Sequence, residues 1–172
     1  MGDSLICSDT TPMDKHWLRQ QVLERLAADL LLTEQAALTA HETATHEENI
    51  AENKYDTLGL EAAYLATGQA RRAEAIRQAI AAWQQFRPRT HDDTLGIQLG
   101  AAVCLVDAQD RQQWVFLGPP GGSMKLVCEG QALQVISTEA PLGRALLGKC
   151  VGDEVAIEVP PHRLEFEVLQ VA

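Results

Sequence analysis

Carboxylates crowd one stretch of this chain. Glu42, Glu47, Glu48, Glu52, Asp56 and Glu61 fall within twenty residues, with Lys54 alone to balance them. Carboxylate oxygens at this density suit a hard divalent cation, and Mg²⁺ is commonly held by one or two carboxylates with water completing its shell. A solvated helix end carries the same signature, and both readings stand at this point. No other chemistry competes. Cys7, Cys104, Cys128 and Cys150 show no CxxC spacing and no neighbouring His at ligand spacing, so a zinc site is unsupported. His16, His41, His46, His91 and His162 are dispersed and read as surface residues. No Ser-His-Asp set appears, and Gly118–Gly122 lacks the Lys-Ser/Thr of a phosphate loop. The expectation is that the chain brings no catalytic residues of its own.

Bulk properties narrow the partners. The 172 residues carry a net charge of −10, which leaves no domain-wide basic surface for a phosphate backbone and argues against autonomous DNA binding. Hydrophobic residues make up 46%, enough for a buried core. The opening MGDSLICSDT is acidic and short of an apolar run, unlike a signal peptide. Met1-Gly2 invites a myristoylation reading that Asp3 disfavours. No stretch approaches the ~18 apolar residues of a membrane span. The expectation is a cytoplasmic monomer with reduced thiols and no membrane contact.

The elements that must position the acidic stretch change character near Pro88. Thr11-Pro12-Met13-Asp14 reads as a helix start: Thr11 as cap, Pro12 in the first turn, Asp14 facing the positive end of the dipole. Leu23, Leu26, Leu30, Thr33, Ala37 and Ala40 follow at spacings of three and four. After a polar gap so do Tyr55, Leu58, Ala62, Leu65, Gln69, Arg72, Ile76, Ala79 and Trp83, with Gln69 and Arg72 interrupting the seam beside Gly68. Two such segments predict an antiparallel hairpin over 12–87, after a flexible 1–11. Pairing Met13 with Trp83 and His41 with Tyr55 sets the turn near Glu48. Arms of ~30 residues would be ~45 Å long, too long for the second half to cover, so the hairpin is expected to project. The alternatives are a bundle core or a dimeric coiled coil, the latter weakened by Gly59, Gly68, Gln69 and Arg72.

Residues 88–94 read as a linker and 95–172 as a small antiparallel sheet domain. Ile97, Leu99, Ala101, Val103 and Leu105 alternate, and a turn follows at Asp107–Asp110. Further strands are expected at Trp114–Leu117, Lys125–Cys128, Leu133–Ile136, Glu154–Val159 and Leu164–Leu169, with a helical turn at Pro141–Leu147 stopped by Gly148. The class is α+β, hairpin first and sheet second.

One segment is more specific. Ile136-Ser137-Thr138-Glu139-Ala140-Pro141-Leu142-Gly143-Arg144-Ala145-Leu146-Leu147-Gly148-Lys149-Cys150-Val151-Gly152-Asp153-Glu154-Val155 resembles the C-terminal signature of the Gre-type bacterial transcription factors, with Ala140 where that family usually has Ser. Pro141, Gly143, Gly148, Gly152 and Asp153 read as fold determinants, and Arg144 and Lys149 as candidate polymerase contacts. The resemblance implies an FKBP-like sheet domain and RNA polymerase as partner. It also implies a hairpin inserted in the polymerase secondary channel, meeting the RNA 3′ end only within that complex. In the family, two acidic tip residues help hold a second Mg²⁺ beside the catalytic ion, and two metals stabilise attacking and leaving oxygens.

The tip diverges from the family pattern. Its run is His46-Glu47-Glu48-Asn49-Ile50-Ala51-Glu52-Asn53-Lys54-Tyr55. Aligned on Glu52-Asn53, Asn49 stands where an Asp is usual. Aligned on Tyr55, Glu48 takes that place and Ala51 replaces the Glu. Glu48, Asn49 and Glu52, with Glu47 beside them, are the candidate metal-holding residues, for cleavage of backtracked RNA or for a channel regulator that does not cleave. A peptidyl-prolyl isomerase is a lesser alternative, because Trp114, Phe116 and Phe166 are the only aromatics after Pro88.

Overall fold

The computed structural model describes residues 13–46 and 58–172. Helix α1 spans Lys15–Thr45 and helix α2 Leu58–Gln85. Six strands follow, β1 Ala102–Asp107, β2 Gln112–Gly118, β3 Met124–Cys128, β4 Gln131–Ser137, β5 Glu154–Val159 and β6 His162–Val171, with helix α3 Pro141–Leu146 between β4 and β5. The chain divides into two compact units. One lies within Gln21–Gln85, and the other joins Phe86–Ala172 to residues 13–20. Among the described residues no helix is long and apolar enough to cross a membrane.

The start of α1 is set by Asp14. Its Oδ1 accepts from the backbone N–H of His16 at 2.9 Å and of Trp17 at 3.0 Å, satisfying two of the first-turn donors that a helix leaves open. The sequence assigned the cap to Thr11 and the first turn to Pro12. Both lie outside the described residues, and the helix begins after them.

Within Gln21–Gln85 the helices run antiparallel. Arg77 pairs with Glu34, while Ala40 and Thr43 share a groove with Ala62 and Leu65. The symmetric pairing expected from the sequence would have set Ala40 opposite Asp56, so the register differs from that expectation. The turn expected near Glu48 lies outside the described residues. Leu26, Thr33 and Ala40 are buried as expected, and Leu23, Leu30 and Ala37 flank them half-buried. On α2 Ala62, Ala73, Ala79 and Trp83 are buried, Ala79 and Trp83 as expected, and Ala66, Gln69, Ile76 and Ile80 are half-buried. Leu65 and Arg72, expected in the seam, are exposed. The alanines one residue further along take their places, because spacings of four and three from Ala62 keep a single face.

The sheet runs β3-β4-β2-β1-β6-β5. All neighbours are antiparallel except β2 and β4, which pair in parallel with Trp114 beside Leu133 and Leu117 beside Ile136. Its core gathers Ile97, Val103, Leu105, Val115, Leu117, Ile136, Leu146, Val155 and Val168. The alternation expected from Ile97 onward becomes strand only at Ala102. Gly96 at φ +67° and Gly100 at φ +93° turn the backbone first, and Leu99 is exposed. Two rings and one ammonium tie the unit's segments together. Phe86 meets Phe116 edge-on at 6.3 Å, and Lys15 donates to the Arg89 carbonyl at 2.9 Å. Burial pulls the Lys15 amine below its ordinary range. In the expected linker, the Asp92 carboxylate accepts from the Thr94 N–H and hydroxyl, which holds it below the usual carboxylate range, the hydroxyl contributing most.

Candidate functional site

The signature segment folds as one continuous device at the end of β4. Ser137 turns the chain: its Oγ accepts from Glu139 N–H at 3.0 Å and its carbonyl from Ala140 N–H at 3.1 Å. Pro141 opens α3, where its fixed φ suits the first turn and its missing N–H costs nothing. Ala140, the N-cap, offers no side-chain acceptor. Gly143 is required for space. A Cβ there would stand 2.1 Å from the Ser137 carbonyl oxygen and 3.0 Å from Thr138 Cα. That close approach lets Leu146 bury completely in the core, a contact worth about 2 kcal/mol. Gly148 then adopts φ +77° with nothing within 4 Å of where a Cβ would stand, so there it is the backbone angle that calls for glycine.

Two further sets of bonds lock the segment to the rest of the unit. Gly148 N–H donates to the Ile97 carbonyl and Ile97 N–H to the Lys149 carbonyl, both at 2.8 Å. Gly96 lies so close that a Cβ would sit 2.6 Å from the Gly148 oxygen. Asp153 accepts the Cys150 N–H on its Oδ2 at 2.8 Å, and Gly152 and Asp153 exchange bonds with Val168 of β6. Pro141, Gly143, Gly148, Gly152 and Asp153 thus each have a structural task.

This pairing sets residues 95–99 beside residues 147–151 and leaves apolar side chains outside. Leu95 is 61% exposed and Val151 59%, with Leu99 and Leu147 also exposed. Arg144 is exposed in the last turn of α3, and Lys149 is half-buried between Leu147 and Val151 in sequence. The sequence reading singled out Arg144 and Lys149 but missed their apolar neighbours. Only the backbone pairing of two segments fifty residues apart brings them together.

The remaining candidates fare differently. Glu47, Glu48, Asn49 and Glu52 lie outside the described residues, as does Cys7. Among the described residues no cluster of His, Cys, Asp and Glu is arranged to hold a metal ion. Cys104 and Cys128 are buried thiols, and burial pushes Cys128 up; Cys150 is exposed. Phe116 is spent in the core against Phe86, and Phe166 lines a hollow of about 440 Å³ whose walls include Asp107, Asp110, Glu154, Glu165 and Glu167. An aromatic-lined apolar pocket is not formed by these rings.

The profile of the family described as "Transcription elongation factor, GreA/GreB, C-term" matches residues 95–172. Transcription elongation factor GreA of Maridesulfovibrio salexigens is 36% identical over 83 residues, covering 45% of this chain and 48% of its own length. GreA of Xanthomonas campestris pv. campestris is 35% identical over 78 residues, covering 44% and 45%. GreA of Chlorobaculum parvum is 53% identical over 36 residues, 21% of this chain and 23% of its own. The chain thus spans about half the length, or less, of the curated relatives it matches. A crystal structure of GreA factor homolog 1 of Thermus thermophilus aligns with 87% of this chain and 94% of its own at 24% identity, but with a TM-score of 0.37 the superposition is loose and adds nothing to the assignment. Residues 95–172, with their signature folded around Gly143 and Gly148, thus match the C-terminal domain of the GreA/GreB transcription elongation factors.

Proposed function

We propose that this chain is an accessory factor of RNA polymerase, docking through the sheet domain and entering the secondary channel with its hairpin. The observation that carries this reading is the signature segment, whose bonds to Ile97 leave Leu95, Leu147 and Val151 exposed in the same unit as Arg144 and Lys149. Apolar anchors rimmed by a few charges are the usual composition of a protein docking surface, and a net charge of −10 disfavours a nucleic-acid one. The factor acts as a monomer on the polymerase's own catalytic site and brings no catalytic residue with it.

Pull-down of core RNA polymerase by the purified chain tests the reading, with gel shifts on free DNA and RNA as the control. Binding to polymerase at micromolar concentration and none to free nucleic acid is expected. Replacing Leu147 or Val151 by Glu should weaken capture at least tenfold, since a charge is then buried at the contact. Capture unchanged by both substitutions removes the assignment of this surface.

The tip decides between stimulating cleavage and occupying the channel without it. Glu48 and Glu52 supply the carboxylates, and a Mg²⁺ ion shared with the polymerase is the cofactor of the cleaving version. Asn49 favours the non-cleaving version, because an amide oxygen coordinates Mg²⁺ without bringing charge. A transcript-cleavage assay on stalled complexes separates them. Asn49→Asp should strengthen cleavage, and Glu48→Ala or Glu52→Ala should abolish whatever cleavage is present. If Asn49→Asp leaves cleavage at background while polymerase binding is intact, the factor occupies the channel without cleaving.

A further inference from the structure

β5 ends the sheet, with β6 on one side and, among the described residues, no strand on the other. Val168 N–H donates to the Asp153 carbonyl at 2.9 Å, and antiparallel bonding alternates from there. Against β6, Val155, Ile157 and Val159 therefore take the bonded positions. Glu154, Ala156 and Glu158 fall between them, so their own N–H and C=O groups face outward. All three residues are exposed. An open row of donors and acceptors is a template for one more strand.

The two faces of that edge differ in chemistry. On one, Glu154 stands opposite Glu167, Ala156 opposite Glu165 and Glu158 opposite Arg163. Arg163 pairs with Glu165 at 3.0 Å, whereas among the described residues Glu154 and Glu167 make no ion pair. Carboxylates directly across a sheet repel, and no ion pair offsets that here. Ala156, the small member of the row, lines a hollow of about 440 Å³ together with Val106, Glu154, Glu165 and Glu167. On the other face Ile157 pairs with Leu164 and Val159 follows, Leu164 being 41% exposed and Val159 45%.

We propose that the edge of β5 takes up an extended segment of a partner protein in which basic and apolar residues alternate. The backbone of that segment completes the bonds of Glu154, Ala156 and Glu158. Its basic side chains meet Glu154 and Glu158 and reach over Ala156 toward Glu165 and Glu167. Its apolar side chains extend the face of Ile157 and Val159. Backbone bonds supply the affinity of such an added strand, and the alternating side chains supply the selection. A second copy of this chain is the poorer occupant. β5 against β5 sets carboxylate against carboxylate. β3, at the far end of the sheet, carries Lys125, but on the face of Val155 and not that of Glu154. The carboxylates that keep copies apart are the groups a basic strand meets.

The test is binding of the full chain, at about 0.15 M salt, to a short fluorescent peptide in which Lys and Val alternate. No polymerase is present, so the outcome is separate from the docking reading above. The alternating peptide should bind at least about tenfold tighter than one of equal composition with its Lys and Val grouped, and N-methylation of its backbone should abolish binding. Amide exchange at Glu154, Ala156 and Glu158 should slow at least about tenfold when it binds, with β3 unchanged. Glu154→Lys should weaken binding at least about tenfold while keeping the fold, because it replaces a like-charge pair by an opposite one. Ala156→Pro should weaken it as much, and proline is tolerated at an edge position whose N–H faces out. Equal binding of the two peptides overturns the proposal, since charge alone then accounts for it. So does slowed exchange elsewhere with β5 unchanged. A chain that sediments as two copies and loses this with Ala156→Pro overturns it too, and gives the edge to a second copy.

Discussion

Replacing Gly143 by Ala should unfasten the signature segment although it adds a single methyl to a helix. The new carbon would lie 2.1 Å from the Ser137 oxygen, so α3 or the Ser137 turn must retreat by about 1 Å to restore an ordinary contact. Neither is free to do so. Ser137 is held by β4, which pairs its residues with β2 through Gly118, and α3 is held by Leu146 in the core. Overpacking against backbone costs about 1–3 kcal/mol or more, and lifting Leu146 forfeits part of a burial worth about 2 kcal/mol. The better helix propensity of alanine offsets about 1 kcal/mol. A net loss of about 2–3 kcal/mol is expected. For a domain of this size that lowers the midpoint of the sheet unit's calorimetric transition by about 10–20 °C. Amide exchange at β1 and β4 would confirm which unit opens. A transition unmoved or raised would refute the reasoning, since it would mean that the contact yields without cost.

Other glycines and caps should respond differently. Gly148→Ala meets no atom but keeps a left-handed backbone, so it should cost about 1–2 kcal/mol in the same transition. Gly68→Ala should stabilise the hairpin by about 1 kcal/mol in thermal circular dichroism; destabilisation there would contradict the open space around it. Ala140→Ser supplies the missing side-chain acceptor at the start of α3 and should add about 0.5–1 kcal/mol to the sheet unit in urea denaturation. Asp92 gives a pH test. Its folded-state pKa is depressed, so its contribution is present above the unfolded carboxylate value and is lost as pH falls through the lower folded value. Thr94→Val should move the NMR titration of Asp92 upward, and an unchanged titration would remove Thr94 as the cause.

Local signals in the sequence carried most of the sheet domain. The turn at Asp107–Asp110, the β3 and β4 strands and the α3 stop at Gly148 rest on residue types with one strong preference each, and they fall where expected. Long-range facts were less legible. The parallel pairing of β2 with β4 depends on how β3 folds back, which no single strand encodes. The hairpin seam was misplaced at Leu65 and Arg72 because alanine carries little hydropathy signal, while close helix packing selects it for size. Arg144 and Lys149 were singled out through the signature, but the exposed Leu95 and Leu99 come beside Lys149 only through its bond with Ile97.

The position of β6 bears on when this protein becomes competent as it is made. β6 is last in sequence yet interior in the sheet, flanked by β1 and β5. Gly152 and Asp153, which close the signature segment, make their backbone bonds to Val168, well inside that strand. A ribosome that has released the whole signature still holds it without its clasp, and β1 keeps an open edge until the final strand slides in. The surface around Leu147 and Val151 thus gains its clasp only after β6 has joined the sheet.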